Sequence, residues 1–68
     1  MSGFVVTVER SGHGAEFFYA LREREDDAIS LVKASYGGDG DVVRILRPLA
    51  QWEIGCLNLD PLVARRAA

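Results

Sequence analysis

The segment Glu25–Tyr36, EDDAISLVKASY, is the one stretch of this chain with a clean helical period. On a wheel of 100° per residue, Ala28, Ile29, Leu31, Val32, Ser35 and Tyr36 fall within one arc about 160° wide. Asp26, Asp27, Ser30 and Lys33 fall outside it. A helix of about twelve residues is too short to stand alone in water, so it forms only against a surface that takes its apolar stripe. Glu25, Asp26 and Asp27 occupy the first turn, where carboxylates favour the positive end of the helix dipole, each by a few tenths of a kcal/mol. Gly37-Gly38 ends the helix, with Gly37 predicted as a left-handed C′ residue.

The flanking segments supply the surface. From Gly3 to about Arg10 the chain is rich in β-branched residues and reads as a strand, with Phe4, Val6 and Val8 on one face and Val5, Thr7 and Glu9 on the other. Ser11-Gly12-His13-Gly14 is a turn, and Ala15 to about Arg22 reads as a second strand. Phe17, Tyr19 and Leu21 share one of its faces; Glu16, Phe18, Ala20 and Arg22 share the other. Two strands and a Gly-rich link make an antiparallel hairpin. After Asp39-Gly40-Asp41, Val42–Arg47 reads as a third strand, ended or marked as an edge by Pro48. Residues 49–59 read either as one or two helical turns over Leu49–Cys56 or as a fourth strand. As a helix, Leu49, Trp52, Glu53 and Cys56 share a face. Asn58-Leu59-Asp60-Pro61 is a turn, and 62–68 is expected as a flexible tail that lends Leu62 and Val63 to the core.

The expected fold class is therefore α+β, a two-layer β-β-α-β sandwich of an antiparallel hairpin plus a third strand. One main helix packs on one face, and a short C-terminal helix or fourth strand follows. The element order resembles that of ubiquitin-like β-grasp domains in outline. The conjugating members of that family end in Gly-Gly, whereas this chain ends Arg65-Arg66-Ala67-Ala68, so the resemblance implies no function.

Sixty-eight residues make one domain, 1–68, and a chain this short buries only about 60% of its unfolded surface. Natural remedies are disulfides, a structural metal or oligomerisation. The single cysteine, Cys56, excludes an intrachain disulfide, and the single histidine, His13, excludes closed Cys₂His₂-type zinc sites. Oligomerisation remains. No apolar run approaches the roughly 20 residues that span a bilayer. The N-terminus lacks the basic region of a signal peptide, and with a lone cysteine the expected location is the cytoplasm. Arginine outnumbers lysine seven to one, a bias associated with GC-rich bacterial genomes.

Charge and motifs remove several functions. The net charge is −2, with four basic and six acidic side chains in 1–37 and four of each in 38–68, which is not the basic balance nucleic acid selects. Gly37-Gly38-Asp39-Gly40-Asp41 matches neither a phosphate loop nor a calcium loop and reads as helix cap plus turn. His13 reads as a turn residue, Cys56 as a small buried hydrophobe, and Trp52 and Tyr36 as core or interface aromatics. No nucleophile–base pair or paired-carboxylate site is identifiable, so no catalytic residue, cofactor or metal ligand is assigned.

Two functions follow as expectations. The first is a non-catalytic protein–protein interaction module, either a homodimer or a binder of another protein. It uses the sheet face that the helix leaves bare, with Val5, Phe18, Ala20, Val42 and Leu46 as interface residues. The alternative is a small nucleic-acid-binding regulatory domain using Arg44, Arg47, Arg65 and Arg66, which requires the tail to fold beside the third strand. A small-molecule pocket lined by Trp52 and Tyr36 is a third reading. No membrane association is expected.

Overall fold

The computed structural model describes residues 2–10, 12, 14–38 and 40–67. Strands β1 (Phe4–Arg10) and β2 (Gly14–Ala20) form the expected antiparallel hairpin, in register from Phe4 opposite Ala20 to Arg10 opposite Gly14. So short a link needs left-handed backbone, and Gly12 and Gly14 supply it at φ of 78° and 77°. Helix α1 (Glu25–Tyr36) has the bounds its apolar stripe predicts. Strand β3 (Val42–Pro48) returns antiparallel along β1. Of the two alternatives for residues 49–59 the chain takes the helix, α2 (Gln51–Leu57), and a fourth strand, β4 (Arg65–Arg66), pairs antiparallel to β2 from the segment expected as a tail.

The fold is α+β: a four-stranded antiparallel sheet in the order β3-β1-β2-β4, with α1 packed on one face. Val6 and Val8 of β1, Phe18 and Ala20 of β2, Ala28 and Val32 of α1, and Ala64 form its buried cluster. Val6, Val8, Phe18 and Val32 are fully buried, each stabilising by about 1.5–3 kcal/mol relative to exposure. Val43 and Ile45 of β3 pack on the margin of this cluster. Among the described residues no helix is long and apolar enough to cross a membrane.

The facing of β2 is the reverse of the expected one. Phe18 stands opposite Val6 and Ala20 opposite Phe4, and cross-strand partners share a face, so Phe18 and Ala20 point into the core beneath α1. Phe17 and Tyr19 point away. Glu16 shares the face of Phe18. It sits near the strand end, where Arg10 (2.9 Å) and Arg66 (3.5 Å) hold it outside the core.

Two further expectations change. Gly37 is extended (φ −76°, ψ 145°) rather than left-handed, and its N–H donates to the carbonyls of Val32 (3.3 Å) and Lys33 (3.1 Å). Glycine is needed there for room, because a Cβ would stand 2.9 Å from the Cα of Lys33. Residues 64–67, expected in the tail, close the sheet instead. Ala64 is buried, the Tyr36 hydroxyl donates to its carbonyl (3.2 Å), and the Ala67 N–H donates to the Phe17 carbonyl (2.8 Å). Leu62 and Val63 stay exposed, because Ala64 is the residue that turns inward.

Candidate functional site

The face of the sheet turned away from α1 is read from the registers. Its first row runs across all four strands as Arg47, Val5, Tyr19 and Arg65. Both ends of this row hold α2. Arg47 donates from Nη1 and Nη2 to Oε1 and Oε2 of Glu53 at 2.8 and 2.9 Å, a bidentate pair, and Glu53 Oε1 also accepts the Ala50 N–H at 3.0 Å. These bonds, the guanidinium first, hold the Glu53 carboxyl down to about 2. Arg65 donates to the carbonyls of Leu57 (2.6 Å) and Asn58 (3.3 Å), satisfying acceptors that the helix end leaves free. Asn58 ends α2 in the left-handed conformation (φ 53°). The chain thus passes from the β3 edge to the β4 edge through α2, tied to the face opposite α1.

Val5, in the middle of this row, is buried, which corrects its expected place on an open surface. The Arg47–Glu53 pair sets the rotation of α2. Glu53 must meet Arg47, so Ile54 and Leu57 are half-buried while Trp52 (72% exposed) and Cys56 turn to solvent. Cys56 is thus exposed and not the buried hydrophobe expected, and of the two places expected for Trp52, core or interface, its exposure removes the core.

Farther along the same face the rows are Arg44, Thr7, Phe17 and then Val42, Glu9, Ala15. Thr7 is buried, with its hydroxyl directed at the Arg44 carbonyl (3.5 Å), and Arg44 forms an ion pair with Glu9. Val5 lies opposite Arg47 but Val6 lies opposite Ile45, so Leu46 is the extra residue of a β-bulge. Of the five expected interface residues, Val42 (49% exposed) and Leu46 (55%) remain open, both on β3. Phe18, Ala20 and Val5 do not. Phe17 is 43% exposed on the open face, a position outside the expected set because the facing of β2 is the reverse of the expected one.

The four arginines do not form one patch. Arg44 and Arg47 stand on β3, while Arg65 and Arg66 stand on β4 beyond β1 and β2, about 14 Å away at ordinary strand spacing. The C-terminal segment folds beside β2, so the condition that nucleic-acid binding required is not met. Arg44, Arg47 and Arg66 also face carboxylates of the chain itself.

Elsewhere the polar groups hold the fold together. Arg10 bonds Glu16, the Tyr36 carbonyl (2.8 Å) and Asp41 (3.3 Å), and Asp41 accepts the Gly38 N–H (2.9 Å). Shallow cavities of about 390 Å³ beside Lys33, Gly38 and Asp41, and about 350 Å³ beside Tyr36, Asp60 and Arg65, assemble no nucleophile with a base. Trp52 lines neither: it is 72% exposed on α2, whereas Tyr36 packs against the core under α1, so the two are not brought together between helix and sheet. Among the described residues no three His, Cys, Asp or Glu side chains are grouped to hold a metal ion. His13 and Asp39 lie outside the described residues. No family model, curated protein or solved structure matches the chain.

Proposed function

We propose that this chain is a non-catalytic protein–protein interaction module that self-associates through the part of the sheet left open by α1 and α2. The observation that carries the reading is β3, a seven-residue strand with a neighbour on one side only, on which Val42 and Leu46 stand about half exposed. Apolar side chains beside unpaired backbone groups are what a partner strand or surface covers. A small core without disulfide or metal support gains stability when such an edge is shared. A bacterial cytoplasm is part of the same reading. It is supported by the Arg:Lys ratio and by the single exposed cysteine, Cys56, which a reducing compartment keeps as a thiol. Sedimentation equilibrium tests the reading: a mass above the 7.5 kDa of one chain is expected at ~100 μM, and a monomer at that concentration overturns it.

A further inference from the structure

Resting on that reading, we infer that the partner is a second copy of this chain, paired antiparallel through β3 about a twofold axis at Arg44, so that two four-stranded sheets become one.

The backbone of β3 has the groups such pairing needs. The Leu49 N–H donates to the Gly3 carbonyl at 2.7 Å, so Gly3 directs its backbone toward β3. An antiparallel ladder alternates, and Val5, Thr7 and Glu9 therefore direct theirs the same way. The bond from the Ala67 N–H to the Phe17 carbonyl shows the matching alternation on the β4 side. The partners of Thr7 and Glu9 are Arg44 and Val42. Those two turn inward, which leaves the N–H and C=O of Val43 and Ile45 facing outward along the free edge.

The side chains fit a copy of the same strand. Antiparallel self-pairing demands a sequence that reads alike in both directions, and Val42-Val43-Arg44-Ile45-Leu46 does so in chemical type. Centred on Arg44, Val43 meets Ile45 of the second copy with both backbone bonds exchanged, and Val42 meets Leu46. The half-buried Val43 and Ile45 then continue the apolar layer under α1 across the axis. The cost is Arg44 opposite its own copy, a like-charge pair moderated because each Arg44 is already ion-paired to Glu9.

Closure favours one copy over many. The other edge of the sheet, β4, has two residues, so a head-to-tail β3-on-β4 chain finds little to pair with, whereas β3 on β3 closes after one addition. Of the devices that blunt edge strands, the bulge at Leu46 and the proline at position 48 guard the C-terminal end of β3, and the charge at its centre, Arg44, is ion-paired to Glu9 within the same chain.

Sedimentation equilibrium of wild type and three variants, each first shown to be folded by circular dichroism, decides the matter. Wild type and Phe17→Asp are expected to dimerise alike, and Val42→Lys/Leu46→Lys to be monomeric at the same concentration. Arg44→Thr is expected to dimerise about two- to fivefold more tightly, because it removes the like-charge pair. A wild-type monomer overturns both this inference and the proposed function. A dimer that Phe17→Asp abolishes and the double lysine variant leaves intact overturns the β3 pairing alone, as does a looser dimer for Arg44→Thr.

Discussion

The ring of Phe18 stacks on that of Tyr36 with centroids 4.3 Å apart and planes inclined by 25°. This contact joins the middle of β2 to the last turn of α1, and both partners go on to other elements. Phe18 lies against Val6 and Val8 of β1, and the Tyr36 hydroxyl reaches the Ala64 carbonyl ahead of β4. Replacing Phe18 by alanine leaves a void under the helix, and buried Phe→Ala changes cost about 3–5 kcal/mol. A domain of this size has about that much stability in total. Phe18→Ala is therefore expected to be largely unfolded at 25 °C by far-ultraviolet circular dichroism. A cooperative urea transition with a midpoint near that of wild type would show that Phe18 is not the centre of the core.

Tyr36→Phe separates the stack from the hydrogen bond. It keeps the ring on Phe18 but removes the donor to Ala64, at a cost of about 0.5–1.5 kcal/mol. The local effect is the more telling one. The Ala67 N–H, which closes β4 onto Phe17, is expected to exchange with solvent deuterium faster, while the β1–β2 amides keep their protection relative to global stability. Equal acceleration at all sites would mean that β4 does not depend on Tyr36.

The elements of this fold were legible where a pattern is local. The stripe of α1 reads directly from Ala28, Leu31, Val32 and Tyr36, and the hairpin from alternation on either side of two glycines. Alternation says which residues share a face, and it is silent on which face looks inward. For β2 the inward face carries Glu16, which Arg10 and Arg66, the latter distant in sequence, hold outside the core, so no local pattern shows that Phe18 points inward. The rotation of α2 had the same difficulty, because Trp52 and Cys56 face solvent on account of a clamp between Glu53 and a residue of β3. β4 is only two residues long and has no period to detect. Val42 and Leu46 are half exposed as the bare-face expectation has it, but that expectation rests on the same facing that fails for Phe18 and Ala20, and the two positions stay open because β3 is the edge of the sheet.

Two glycines that look alike in sequence are expected to behave oppositely. At Gly37 a Cβ would stand 2.9 Å from the Lys33 Cα, so Gly37→Ala must displace the end of α1 and lower the melting temperature. At Gly55, inside α2, a Cβ meets nothing within 4 Å. There alanine removes backbone freedom from the unfolded chain and should stabilise by about 0.4–1 kcal/mol. Thermal unfolding of the two variants beside wild type checks both signs. A destabilised Gly55→Ala would indicate that α2 is not helical through its middle.

The clamp on α2 makes stability depend on pH in a predictable direction. Glu53 is held at about 2 in the folded chain, against an ordinary value of 4.5, because its charged form accepts two bonds from Arg47 and one from Ala50. A carboxyl lowered on folding stabilises the native state above its ordinary value, and this contribution fades as pH falls from about 4.5 toward 2. Other carboxylates titrate in the same window, so the informative quantity is the difference between wild type and Glu53→Gln. The glutamine has no charge to lose. The wild type is expected to be the more stable at pH 7, and the gap in urea midpoint should narrow steadily below about pH 4.5 and approach zero near pH 2. A gap of the same size at both ends of that range would mean that Glu53 acts through its shape alone, and that the Arg47–Glu53 charge pair does not hold α2 on the sheet.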